Sequence, residues 1–202
     1  FYDCDSLKEI TISDSLTSIG KLAFYNCKSL QQIIIPDSVT YIGYEAFMWC
    51  ESLQQITIPD SVTCIGCRAF NGCINLNLKS NSKRYTITDK LLIDDIESRL
   101  ISYFGADKCL LIPNTITSIG DGAFVDCESL QQITIPDSVT SIGNWAFRGC
   151  KSLRQITISD SVTYIGYEAF RGCESIQQII IPDSVSYIGY EAFLWCESLQ
   201  QI

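Results

Sequence analysis

Cys4, Cys27, Cys50 and Cys73 stand 23 residues apart, and Cys127, Cys150, Cys173 and Cys196 repeat the interval. A fixed period of about 20–50 residues marks a solenoid or propeller, in which one short unit is stacked many times. Counted from the cysteine, the unit reads C-x-S-L-x-x-I-x-I-P-D-S-V-T-x-I-G-x-x-A-F-x-x. Seven full copies start at residues 4, 27, 50, 104, 127, 150 and 173. The copy at 104 puts Phe104 in the cysteine slot and keeps phase through Ile112-Pro113, Ile119-Gly120 and Ala123-Phe124. One irregular stretch of 31 residues, 73–103, interrupts the series. Phe1-Tyr2-Asp3 match Phe24-Tyr25-Asn26, and 196–202 match the opening of a unit, so both ends fall in mid-repeat. The expectation is one solenoid over 1–202, an uncapped piece of a longer array.

The copy from Cys50 to Gly72 shows what each slot does. Ile56 and Ile58 lie two apart, so in a strand they share the inner face, and Leu53 leads into them. Gln55 and Thr57 then point outward. One slot holds all five prolines, Pro36, Pro59, Pro113, Pro136 and Pro182, which ends the strand and opens a Pro-Asp-Ser turn. Val62 and Ile65 return to the core. The glycine column at 20, 43, 66, 120, 143, 166 and 189 implies a close approach that a side chain would block. Ala69, Phe70 and Cys73 read as a short helical turn that packs Phe70 inward.

A unit this small cannot bury its apolar face alone, so stacked copies share one core, with parallel strands about 4.8 Å apart. About nine turns then make a body roughly 40 Å long. Thiols stacked at that spacing sit too far apart for a disulfide, which wants Cβ atoms about 3.5–4.5 Å apart. The column is therefore expected to be a buried, reduced ladder of small hydrophobes.

Composition narrows the function. The chain has no histidine, which removes the Ser-His-Asp triad, most zinc sites and histidine acid–base chemistry. No nucleophile–base pair stands out either, so the chain is expected to be no enzyme and to need no cofactor. A net charge of −9 leaves no basic face for nucleic acid or an anionic membrane. No apolar run approaches the roughly 18 residues of a membrane span.

The recurring Ser-Leu-x-x-Ile-x-Ile-Pro-Asp-Ser-Val-Thr-x-Ile-Gly-x-x-Ala-Phe-x-x-Cys resembles the BspA-like (Treponema pallidum-type) leucine-rich repeats over nearly the whole chain. The resemblance extends to 73–103, where Tyr85-Thr-Ile-Thr-Asp-Lys-Leu-Leu-Ile-Asp and Arg99-Leu-Ile-Ser-Tyr103 look like the longer, hairpin-bearing unit of such arrays. It implies an α/β repeat fold, a right-handed leucine-rich-repeat solenoid of 23-residue period with parallel strands on the concave side and short helical turns. It further implies a surface or secreted protein engaged in adhesion, matrix binding or coaggregation. A repeat scaffold hosts many ligands, so the fold is better defined than the function.

Three rows are candidate sites. Tyr41 and Tyr44, Tyr164 and Tyr167, and Tyr187 and Tyr190 flank the Ile-Gly step. Ser18, Ser118, Ser141, Lys21, Asp121 and Asn144 fill the same slots elsewhere. A slot that accepts serine, aspartate and tyrosine is not core, so these tyrosines are expected to be exposed, with Trp49, Trp145 and Trp195 beside them. They serve either as binding aromatics or as a lateral ladder between turns. The outward strand row, Gln32, Gln55, Thr57, Gln132, Thr134, Gln155, Thr157 and Gln178, is either a ligand surface or a hydrogen-bonding ladder. The aspartate column (Asp14, Asp37, Asp60, Asp137, Asp160, Asp183) suits local turn bonds better than calcium, since one carboxylate per turn falls short of six to eight oxygens.

Cys64 and Cys67 form a C-x-x-C in two tyrosine slots, with no histidine or second pair to complete a zinc site. A local disulfide stays open there. Cys109, in the slot of Gln55, reads as an exposed thiol. Segment 73–103 carries Lys79, Lys83, Arg84, Lys90 and Arg99 against four carboxylates, and its 80–84 loop is either a functional protrusion or a spacer. The function implied is a surface or secreted binding module whose partner is a protein or glycan on host or neighbouring cells. The alternative is a structural repeat that self-associates end to end into filaments.

Overall fold

The computed structural model describes residues 1–201. Within each of the chain's two units the regular repeats wind through the same three sides, two of them short strands and the third a run of turns, and neighbouring copies stack in register. Both units are parallel β-solenoid with a period of about 23 residues, about 8 turns in all against the nine expected.

The chain forms two compact units, Phe1–Glu97 with Ile101–Gly105, and Ser98–Leu100 with Ala106–Ile202. In the first, Glu9–Ile10, Gln32–Ile33, Gln55–Ile58 and Asn77–Ser80 form one parallel row, and Ser18–Ile19, Tyr41–Ile42 and Cys64–Ile65 another. The irregular segment adds an antiparallel hairpin, Tyr85–Thr88 with Leu91–Asp94. Its guanidinium Arg84 is tied to the buried Asp94 at 2.7 Å, and Lys90 Nζ donates to the Leu76 carbonyl. In the second unit Cys109–Leu111, Gln132–Thr134 and Gln155–Thr157 form one row. The other row holds Arg99 and Leu100, Ser118–Ile119, Ser141–Ile142, Tyr164–Ile165 and Tyr187–Ile188.

The core follows the slots. Leu53, Ile56, Ile58, Val62, Ile65, Ala69 and Phe70 are buried, as are their counterparts Leu153, Ile156, Ile158, Val162, Ile165, Ala169 and Phe170. Phe24, Phe47 and Phe70 stack face to face with centroids 5.2 and 5.6 Å apart, and Phe124, Phe147 and Phe170 with 4.9 and 5.2 Å. The Pro-Asp-Ser corner closes with the Val39 N–H donating to the Pro36 carbonyl, repeated at Val62, Val139 and Val185. The glycine column is a contact column. A Cβ on Gly66 would stand 2.4 Å from the backbone of Tyr44, and one on Gly166 2.6 Å from that of Asn144.

The third side corrects one expectation: among the described residues there is no helix. Leu22, Glu45, Arg68, Gly122, Trp145, Glu168 and Glu191 all have positive φ, and four positions later so do Asn26, Trp49, Gly72, Asp126, Gly149, Gly172 and Trp195. Two left-handed residues per turn break any α-helical run. Alternate N–H groups then leave the turn altogether. Those of Leu22, Phe24 and Asn26 donate to the carbonyls of Tyr44, Ala46 and Met48 in the next copy. A helix would keep those bonds to itself; this side uses them to hold copies together.

The cysteine column is reduced, and Cys27, Cys50, Cys73, Cys150 and Cys173 are fully buried. Each thiol reaches one copy back. Cys50 Sγ donates to the Phe24 carbonyl at 3.0 Å, Cys73 to that of Phe47, Cys150 to that of Phe124 and Cys173 to that of Phe147. The Phe24 carbonyl also accepts the Cys27 N–H, so it serves its own turn and the next. Burial pushes the Cys73 and Cys150 thiols up, and Cys196 to about 12.

Candidate functional site

The tyrosine row sits on two-residue strands that alternate out and in, so Tyr41 and Tyr164 are exposed while Ile42 and Ile165 are buried. Register places Tyr164 opposite Tyr187, and their rings stack at 4.9 Å. Tyr41 lies opposite Cys64, which has no ring to offer.

The second tyrosine of each pair differs more sharply between the units. Tyr44 is half-buried, with Lys21 Nζ 4.9 Å from its ring centroid and Arg68 Cζ 4.7 Å. These cations come from the copy before and the copy after, and Arg68 is also held by Glu45 at 2.9 Å. Tyr167 instead meets the edge of Trp145 and stacks on Tyr190 at 6.3 Å. Its neighbour Glu168 is buried and paired with Arg171 at 2.7 Å. Burial raises the Glu168 pKa, but the bond from Tyr167 and the Arg171 charge outweigh it, and the net shift is downward.

The tryptophans are placed by the left-handed positions. Trp49 is half-buried with its indole lying on Gly72, whose missing side chain leaves the space. Trp145 is half-buried against Tyr167, and Trp195 is exposed under the Arg171 guanidinium at 4.1 Å.

The strand row is where a continuous open surface occurs in both units. Gln32 and Gln55 are exposed in the first unit, with Thr57 half-buried; Gln132, Thr134, Gln155, Thr157 and Gln178 are exposed in the second. Three large aliphatic residues share the outward slot of Thr57 and were not singled out by sequence: Ile34 is 82% exposed, Leu111 81% and Ile180 72%. Position was the available signal, because a slot that points outward exposes whatever fills it. A groove of about 400 Å³ runs between Ile34, Gln32, Gln54, Gln55 and Thr57. The second unit has its counterpart, about 580 Å³, between Gln132, Arg154, Gln155, Gln177, Gln178 and Ile180.

Among the remaining candidates, two thiols fall in these rows and the others lie outside them. The six aspartates of the turn column are exposed, and Asp137 accepts a bond from Ser159 Oγ at 2.7 Å. Cys64 carries no disulfide, and Cys109 is exposed in the glutamine row. Arg84 of the 80–84 loop is occupied by Asp94 and Glu97. The threonine hydroxyls of the second corner form a ladder, Thr63 to Thr40 and Thr163 to Thr140 at 3.2 Å, and so serve the stack.

Parallel rows, one corner proline, one contact glycine and a shared interior define a β-solenoid repeat protein with an open strand face. Residues 1–102 and 94–202 match the BspA type leucine rich repeat region, in 6 copies, and the chain belongs to that family. It is similar to a leucine rich cell surface protein from Faecalibacterium prausnitzii A2-165, with 33% identity, a TM-score of 0.83 and 98% of this chain covered. The pneumococcal vaccine antigen PcpA shares the fold at 22% identity and a TM-score of 0.68, over 89% of this chain. A leucine-rich repeat protein from Eubacterium ventriosum does so at 20% and 0.60, over 98% of this chain and 73% of its own. The chain spans 60% of the length of the first of these and 57% of the second. No match was found among curated proteins.

Proposed function

We propose that the chain is a non-catalytic binding module, carried at a cell surface or secreted, that adheres to a protein or glycan ligand. One observation carries this: in both units the outward strand row pairs polar amide and hydroxyl side chains with a solvent-exposed isoleucine or leucine over a groove. Large aliphatic side chains held in water on a rigid sheet are what a docking partner covers. The likeness to a bacterial cell surface protein at 33% identity supports the location. The test is capture of the purified chain on immobilised extracellular matrix proteins and on a glycan array. Saturable binding, weakened at least about tenfold when Ile34, Leu111 and Ile180 are all changed to threonine, is the expected result. Capture of neither class of ligand removes the proposal.

A further inference from the structure

The second unit's strand face has a spacing and a charge that select among ligands. Leu111, Thr134 and Thr157 are in register on consecutive strands, and Ile180 follows one period later. The two exposed aliphatics are thus three strand spacings apart, about 14 Å. An extended polypeptide advances about 3.3 Å per residue, so side chains four positions apart on one chain span about 13 Å. Such a chain, lying across the strands, reaches both anchors at once. Between them Gln132, Gln155 and Gln178 present side-chain amides, which donate and accept and so suit the N–H and C=O groups of a peptide backbone.

Charge chooses the composition. The second unit holds eleven carboxylates against six lysines and arginines. The outward slots of this strand row hold no charge, and Lys108 and Arg154, both exposed, stand one residue before the strands Cys109–Leu111 and Gln155–Thr157, with Asp107 beside Lys108. The two cations stand two strand spacings apart, about 10 Å, along one edge of the face that carries the two aliphatic anchors. A cationic stripe on an acidic body attracts an acidic segment and repels a basic one. No aromatic ring lies in these rows to stack a sugar.

We infer that this face binds an extended, acidic peptide segment of a partner protein. It takes apolar side chains four positions apart on Leu111 and Ile180, and carboxylates of the same segment on Lys108 and Arg154. The inference rests on the binding-module reading and deepens it.

The probe is a fluorescent serine/threonine peptide with two leucines four positions apart and two aspartates beside them, followed by polarisation against the full chain. Binding below about 100 µM is expected, and moving the leucines to two positions apart, or replacing the aspartates by lysine, weakens it at least about tenfold. The Leu111→Thr, Ile180→Thr double variant and Arg154→Glu weaken it as much, while Ile34→Thr in the other unit does not. All four positions are solvent-facing, and circular dichroism checks that the variants stay folded. Equal affinity for both leucine spacings, indifference to the double variant, or no binding overturns the inference. So does displacement of the peptide by a neutral oligosaccharide, which assigns the face to sugars. A probe that fails while the chain still captures an immobilised matrix protein sinks this inference alone; capture of nothing sinks the wider reading as well.

Discussion

Two aromatic ladders run through the second unit, and they look alike until solvent is considered. Phe124, Phe147, Phe170 and Phe193 stack at 4.9 to 5.3 Å, and Tyr164 and Tyr187 stack at 4.9 Å. Phe147 and Phe170 are wholly buried, whereas Tyr164 is 37% exposed and Tyr187 51%. Repetition makes ring stacks wherever an aromatic recurs, inside or outside. Regular stacking therefore says nothing about energy. What separates the ladders is the apolar area removed from water, which the phenylalanines gain in full and the tyrosines only in part.

The sharpest way to break the inner ladder leaves its rings untouched. Gly166→Val puts a side chain where the backbone of Asn144 already stands, and should cost about 4 kcal/mol or more, seen as loss of cooperative urea unfolding. Phe147→Ala removes one ring and leaves a cavity, with an expected loss of about 3–5 kcal/mol in the same experiment. The outer ladder should respond far less: Tyr164→Ser loses one exposed stack and should cost about 0.5–1 kcal/mol. Equal losses for Phe147→Ala and Tyr164→Ser would erase the distinction.

The thiols that line the inner ladder offer a test by pH. Burial raises the folded-state pKa of Cys150, and Cys173 is raised chiefly by its bond to Cys150 and then by burial. The folded state thus holds its thiol protons more tightly than the unfolded chain. Their contribution is complete below the unfolded thiol value of about 8.5 and is lost as pH climbs toward the folded value. Thermal melts should fall between about pH 8 and about pH 10.5, and fall less steeply in a Cys150→Ala, Cys173→Ala variant. An unchanged slope would show that the thiols titrate alike in both states.

Much of this was legible. A period of 23, a cysteine slot, a proline slot and a glycine slot define the strands, the corner and the contact column, because in a stack each copy must satisfy the same neighbours. The missing helix was harder to see. Leu22, Glu45, Arg68 and Glu168 are ordinary helix formers, and their left-handed backbone comes from bonds to the next copy rather than from local preference. The local hints were glycines with positive φ, Gly122 in the slot of Leu22 and Glu45, and Gly72, Gly149 and Gly172 in the slot of Asn26 and Trp49. Tyr44 escaped for a related reason. Its slot says outward, but Lys21 and Arg68, one period to either side, close over both faces of its ring. On the strand face, Ile34, Leu111 and Ile180 were hidden by their own hydrophobicity, since an isoleucine reads as core until its slot is known.

The bond that Cys27, Cys50, Cys73, Cys150, Cys173 and Cys196 each make to a phenylalanine carbonyl one turn back has a practical meaning. Every sealed thiol reports on the seam between two named turns: Cys50 on one, Cys73 on the next, Cys150 and Cys173 on others. A thiol becomes available to an alkylating reagent only when its own seam parts. Mass spectrometry of chains pulsed with such a reagent would therefore list, cysteine by cysteine, the order in which the stack comes undone. Each seam closed by such a thiol carries its own built-in tally mark.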